Sequence, residues 1–288
     1  MIKTWQMVLK VVLFVLFGST LARAGTVSVS NYPLLLLSNE VTQGNADAQV
    51  LLEAGDVGHH GSLSPSGVKL VKDSQFVVWF GQELEQNLVN TLQHAPNVIT
   101  LYKFRAFTRL PLRDVDGTPK ADTLDPHIWL DPDNAKAIVR ALAVIHGHAN
   151  PEHKALYLKN AQTFAERMDK AVAEFAQAQP LPYWAYHDAY QYMERSAKLS
   201  FFGALTPDHH LSPKASQIKA LNKSRPSAHM CLVSQGKVSD GIKNKLGNVS
   251  DLLLQEDMSD AKITDAKTDF VATWVDSVQK IRQCVNKK

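Results

Sequence analysis

The sequence predicts an α/β protein of two lobes, each with a central parallel-type sheet flanked by helices, joined by one long rigid helix. Three observations predict it. Short apolar runs alternate with helical patterns, as in βα units around parallel sheets. A single unbroken amphipathic pattern divides the chain near its middle. Setting aside an N-terminal targeting segment leaves 264 of the 288 residues, which suits two domains of ~100–200 residues.

Residues 1–24 are that targeting segment. Lys3 and Lys10 precede the apolar run Val11–Phe17, and the segment finishes on Ala22-Arg23-Ala24, a small-x-small site. Basic, apolar and small parts in this order form a secretory signal peptide, and the apolar run is shorter than the ~20 residues a bilayer requires. Cleavage is expected after Ala24, releasing a periplasmic chain that carries no lipid, since no cysteine lies near the site.

The N-terminal lobe is expected over residues 25–150, with strands at Leu34–Leu37, Gln49–Leu52, Phe76–Phe80 and Val98–Leu101. Ser64-Pro65-Ser66 marks a helix start, with Pro65 in the first turn where its missing N–H does no harm. Residues 103–126, rich in Pro, Gly and Asp, form a loop. The linking helix is expected over 151–179. Tyr157, Ala161, Phe164, Met168, Val172 and Phe175 step by three or four residues along one face; Pro151 opens the pattern and Pro180-Leu181-Pro182 ends it. At 1.5 Å per residue it would span ~40 Å. The C-terminal lobe is expected over 180–288, with strands at Tyr183–Tyr186, Ser200–Gly203, Ala228–Val233 and Asp251–Leu254.

Charge removes one class of function. Removing Lys3, Lys10 and Arg23 from the 31 bases leaves 28, against 28 acids. A chain so balanced offers no net basic face for nucleic acid. The two cysteines, Cys231 and Cys284, read as one disulfide in an exported protein, closing a loop worth ~4 kcal/mol; a Cys₂ metal site is the alternative.

Of the eleven histidines, three stand out by position. His59 follows the second expected strand in Gly58-His59-His60-Gly61-Ser62. His127 lies in Asp125-Pro126-His127-Ile128-Trp129-Leu130. His187 ends the strand that begins at Tyr183 and opens His187-Asp188-Ala189-Tyr190. Ligands of open α/β sheets sit beyond the carboxyl ends of strands, which is where His59 and His187 fall. Imidazole is the commonest protein ligand of borderline metals, although separations of 68 and 60 residues match no local metal motif. His146, His148 and His153 flank a helix junction and are expected in solvent, as are His209 and His210 before Leu211-Ser212-Pro213; His94 and His229 have no partner pattern. No His-Glu-x-x-His, Gly-x-Ser-x-Gly or phosphate-cradling loop occurs, so no catalytic residue is assigned.

Four segments carry a resemblance. They are His59-His60-Gly61-Ser62-Leu63-Ser64-Pro65-Ser66, Phe76-Val77-Val78-Trp79-Phe80-Gly81-Gln82-Glu83-Leu84-Glu85, Asp125-Pro126-His127-Ile128-Trp129-Leu130-Asp131-Pro132 and Tyr186-His187-Asp188-Ala189-Tyr190. In order and spacing the chain resembles, from about residue 26 to its C-terminus, the metal-specific periplasmic binding proteins of ABC importers, most closely the zinc-binding subgroup. The Cys231–Cys284 pair likewise resembles that subgroup's disulfide. The resemblance implies two lobes with metal in the cleft, and aligns His59, His127 and His187, but not His60, with the family's histidine ligands. It implies that the chain is a monomer that is no enzyme, captures Zn²⁺ as transported cargo and delivers it to an ABC permease of the inner membrane. Three neutral imidazoles leave one position of a four-coordinate zinc for a further ligand, and each should donate its other ring N–H to a carboxylate or carbonyl. Affinity should then fall as pH drops through ~6.5.

The chain departs from the family in three places. The acidic fourth ligand falls near Leu254–Met258, where Glu256, Asp257 or water is the candidate. The histidine-rich loop is absent, since residues 103–126 hold no His. Ser234-Gln235-Gly236 stands where an acidic residue and proline are common. A manganese or iron binder of the same family is the nearest alternative, but oxygen-preferring Mn²⁺ calls for two carboxylates beside two histidines. A zinc-dependent hydrolase, using an open metal position to activate water, and a surface adhesin on the same scaffold are the alternatives from other classes.

Overall fold

A computed structural model describes residues 25–56, 63–207, 211–259 and 269–287. The expected signal segment, the His59-His60 loop and His209-His210 lie outside the described residues. The chain runs β1 (Val27–Val29), α1 (Tyr32–Thr42), β2 (Gln49–Val50), α2 (Pro65–Asp73), β3 (Phe76–Trp79), α3 (Val89–Leu92) and β4 (Val98–Thr100). A 3₁₀ turn at Ile128–Leu130 leads into α4 (Pro132–Ala149), and another at Pro151–His153 into α5 (Lys154–Ala173). The second half continues β5 (Leu181–His187), α6 (Gln191–Ala197), β6 (Leu199–Thr206), α7 (Ala215–Lys223), β7 (Met230–Ser234), α8 (Asp240–Leu246), β8 (Val249–Leu253) and α9 (Phe270–Val285). Every pairing among these strands is parallel, giving one sheet in the order β2-β1-β3-β4 and a second in the order β6-β5-β7-β8. The fold is thus two parallel-sheet α/β lobes with α5 between them.

Leu34–Leu37, expected as a strand, is instead the core of α1. The Asn31 side chain caps the helix by accepting from the Leu34 N–H at 3.3 Å, and Pro33 sits in its first turn, where proline fits. Leu34, Leu36 and Leu37 are all fully buried. A run apolar on every side carries no period, and length and caps then decide between strand and helix. The strand that fills this place is the shorter, β-branched Val27-Ser28-Val29. The linking helix is also shorter than its pattern: α5 has 20 residues, about 30 Å at 1.5 Å each. Beyond Ala173 the chain turns ahead of Pro180, and Phe175 leaves the helix to pack edge-on against Trp274 of α9 at 6.1 Å. Phe164 of α5 meets Phe270 of α9 in the same manner at 5.9 Å. The C-terminal helix therefore returns across the linking helix, and one buried apolar cluster runs from Val27 and Val29 through Tyr157 and Phe164 to Cys231 and Val233.

Cys231 on β7 and Cys284 on α9 form the disulfide, fastening that return to the second sheet across 53 residues. Residues 103–126 do form a loop, and it lies along the free edge of the second sheet. The Val115 carbonyl accepts from the Ala204 N–H of β6 at 2.8 Å. Gly203, at φ +124°, makes this approach feasible, since a Cβ there would meet the same carbonyl at 3.0 Å and Leu221 closer still. Arg113 from this loop grips Asp188 and Glu194 through four hydrogen bonds of 2.6–3.0 Å, over the Phe201 ring at 4.2 Å.

His146 corrects another expectation. It is not in solvent but 0 % exposed inside α4, where its Nε2 shares a hydrogen bond of 2.8 Å with the Ser38 hydroxyl of α1. The apolar face of α4 carries it inward, and a residue beside a helix end can still face the core. No described helix is long and apolar enough to cross a membrane.

Candidate metal site

Two histidines and one glutamate meet between the lobes. His127 immediately precedes the 3₁₀ turn Ile128–Leu130. Asp125 accepts both the His127 backbone N–H at 3.0 Å and its Nδ1–H at 2.7 Å. This fixes the tautomer and aims Nε2 at the cleft, the arrangement in which a carboxylate steers a metal-binding imidazole. The Pro126 carbonyl, one residue earlier, accepts from the Tyr102 hydroxyl. His187 is the last residue of β5, in register with Thr206 of β6, so the sheet delivers it at its carboxyl end. Glu256 follows β8. Its backbone carbonyl accepts from the Trp129 indole N–H at 3.0 Å, a bond between the two halves of the chain.

The three residues are 1–5 % exposed, and one ligand atom from each lies within 4.8 Å of the others. The His127 and His187 rings meet edge-on with centroids 5.7 Å apart. His127 Nε2 is 3.5 Å from Glu256 Oε1, and His187 Nε2 is 3.9 Å from Oε2. Burial alone would pull the His127 imidazole down in pKa, but the Asp125 and Glu256 carboxylates overcome it and push it up to about 10. Such a group is a proton holder until a stronger Lewis acid takes its place. The pH window expected from unperturbed histidine is therefore displaced upward at this residue. Two nitrogens and one carboxylate oxygen at this spacing suit a borderline divalent cation.

The structure brings two of the three sequence-assigned histidines, His127 and His187, together. The third, His59, lies outside the described residues. The segment that leads to it is anchored at the same place: the Gly55 N–H donates to the Asp257 carboxylate at 2.8 Å. Asp257 also accepts from the Ser259 backbone N–H at 3.0 Å. Between Glu256 and Asp257, only Glu256 thus joins the cluster. The two residues lie in the turn that follows β8, and their carboxylates serve different partners. Asp125 and Gln235 escaped assignment as partners of the site. The step of two residues from Asp125 to His127 was a signal for the first, while nothing local signals the second.

The family described as "ZnuA: Zinc-uptake complex component A periplasmic" matches residues 27–284. The high-affinity zinc uptake system protein ZnuA of Brucella abortus is 27% identical over 284 residues, spanning 80% of this chain and 85% of its own length. Its Haemophilus ducreyi counterpart is 25% identical over 306 residues, spanning 92% of this chain and 97% of its own. Among solved structures, the periplasmic zinc binding protein TroA from Treponema pallidum superimposes with a TM-score of 0.75 at 16% identity, over 92% of this chain and 100% of its own. That likeness concerns the fold: two parallel-sheet lobes joined by a long helix. With the family match running through both lobes and all three members of the buried cluster, the chain belongs to the periplasmic zinc-uptake component A family.

Proposed function

We propose that this chain captures Zn²⁺ in the periplasm and hands it to the permease of an ABC importer, with His59, His127, His187 and Glu256 as the ligands. The observation that carries this reading is the convergence of His127, His187 and Glu256, buried and within 4.8 Å of one another. Two imidazoles and a carboxylate leave a position that His59 would complete to a four-coordinate shell of nitrogen and oxygen donors, the coordination zinc accepts most readily. The Gly55–Asp257 hydrogen bond supports it by tying down the chain four residues before His59. The names of the relatives, zinc uptake proteins of Brucella abortus and Haemophilus ducreyi, point to the same cargo. Export would follow cleavage of residues 1–24, after Ala24.

Elemental analysis of the purified exported chain, followed by calorimetric titration of four single alanine variants, tests the proposal. Loss of His59, His127 or His187 should each weaken zinc binding at least about tenfold, or ~1.4 kcal/mol. His60→Ala should leave it near the parent value. Unaltered zinc binding in all four variants would overturn the assignment. An effect at His60 without one at His59 would move the first ligand by one residue.

A further inference from the structure

We infer that Gln235 sets the metal preference of the cleft by confining the Glu256 carboxylate to coordination through one oxygen. This inference rests on reading His127, His187 and Glu256 as ligands. Gln235 follows β7, where Ser234 Oγ donates to the Gly236 carbonyl at 2.8 Å and folds the chain back on itself. The Gln235 backbone carbonyl accepts from Gln255 Nε2 at 2.7 Å, so the residue is pinned to the segment that carries Glu256. Its side-chain Nε2 donates to Glu256 Oε2 at 3.0 Å and to the Tyr190 hydroxyl at 3.3 Å.

Proton bookkeeping fixes which way round the amide lies. Tyr190 commits its own hydrogen to the Leu254 carbonyl at 2.8 Å and so faces Gln235 as an acceptor. Glu256, as a carboxylate, is also an acceptor. Only the NH₂ end of Gln235 satisfies both, using its two hydrogens. The oxygen end in that position would set three acceptors against one another.

The consequence concerns the cation. Oε1, 3.5 Å from His127 Nε2, is the oxygen offered to the ion, while Oε2, 3.9 Å from His187 Nε2, stays engaged by the Gln235 amide at 3.0 Å. The Glu256 main chain is held by the Trp129 indole and its Oε2 by the Gln235 amide, so turning both oxygens onto one ion would break the amide's hydrogen bond. One-oxygen coordination alongside imidazoles suits zinc, which is content with four ligands. It penalises Mn²⁺, which favours harder, more oxygen-rich shells. A neutral amide achieves this without adding charge, whereas a glutamate here would bring a second carboxylate to the cleft.

The test compares Zn²⁺ and Mn²⁺ affinities of the full mature chain with those of Gln235→Met, which keeps the side chain's bulk but donates nothing. Gln235→Asn, too short to reach Glu256, provides a second variant should the first fold poorly. The zinc-over-manganese preference should fall by about tenfold or more, the size of a change next to a metal ligand. X-ray absorption of the zinc form should gain an oxygen neighbour. In a Glu256→Gln background the same substitutions should leave the preference unchanged. Zinc binding with the parent's preference in both variants would overturn this inference alone. Failure of the unaltered chain to bind zinc would overturn the reading of the site and this inference with it.

Discussion

His127 and His146 are both almost wholly enclosed, at 1 % and 0 % exposure, yet burial leaves them with opposite chemistry. His127 sits in the cleft with a carboxylate on either side, Asp125 at 2.7 Å and Glu256 at 3.5 Å, and is pushed up to about 10. His146 sits between α1 and α4 with the neutral Ser38 hydroxyl and is pulled down to about 4 by burial, which the distant Asp47 offsets only weakly. Enclosure disfavours the charged imidazole in both places, and only a nearby negative charge reverses it. A buried histidine is thus a candidate ligand because of its carboxylates, not because of its burial.

The contrast is open to direct attack, and the largest expected effect lies at His146. Its folded-state pKa of about 4 lies below the ordinary 6.5. The stability this neutral ring contributes is therefore complete above 6.5 and is lost as pH falls toward 4. The fall from 6.5 to about 4 corresponds to roughly 3 kcal/mol. Thermal or urea unfolding across that window should show the loss in the parent chain, and His146→Gln should flatten it while zinc affinity stays unchanged. A zinc defect in that variant would erase the distinction between the two histidines.

The cleft histidine should behave oppositely. In the metal-free chain the stability from protonated His127 is complete below 6.5 and is lost as pH rises through about 10. Between those limits zinc must displace the proton, so binding should release close to one proton from this residue. Titration calorimetry in buffers of different ionisation enthalpy reads that number, and a value near zero at pH 7.5 would deny the imidazolium its place between Asp125 and Glu256. Glu256→Gln removes both a ligand charge and one of the two groups that raise His127. It should weaken zinc about 100-fold, or ~2.8 kcal/mol, and bring the pH dependence of binding to lower pH. The smallest effect is expected for Asp125→Asn, which keeps the acceptor but removes the charge. A loss near tenfold is the usual scale for a ligand's hydrogen-bonding partner, measured by competition with a zinc chelator.

Reading the chain in order delivered seven of the eight strands, the linking helix and the cysteine pair, and singled out His127 and His187, which the structure brings together. Those features are local: β-branched runs, a three-to-four-residue apolar step, proline at helix starts, and a histidine at the end of a strand. The failures share a cause. Leu34–Leu37 has no polar side to reveal its period, so the Asn31 cap and Pro33 decided for helix. His146 lies near a helix end, which suggests solvent, yet the helix face it occupies points inward. Asp125 lies two residues from His127, a local signal, whereas Gln235 and the choice of Glu256 over Asp257 could not be read from spacing. Gln235 and Glu256 are 21 residues apart, and Trp129 and Glu256 are 127 apart. Only the pairing of β7 beside β8, and the closing of one lobe upon the other, brings such groups within hydrogen-bond reach. Sequence determined which groups were available, because secondary structure follows from near neighbours. Tertiary structure decided which of them share a carboxylate, because charge interactions act through space and register little of the chain between.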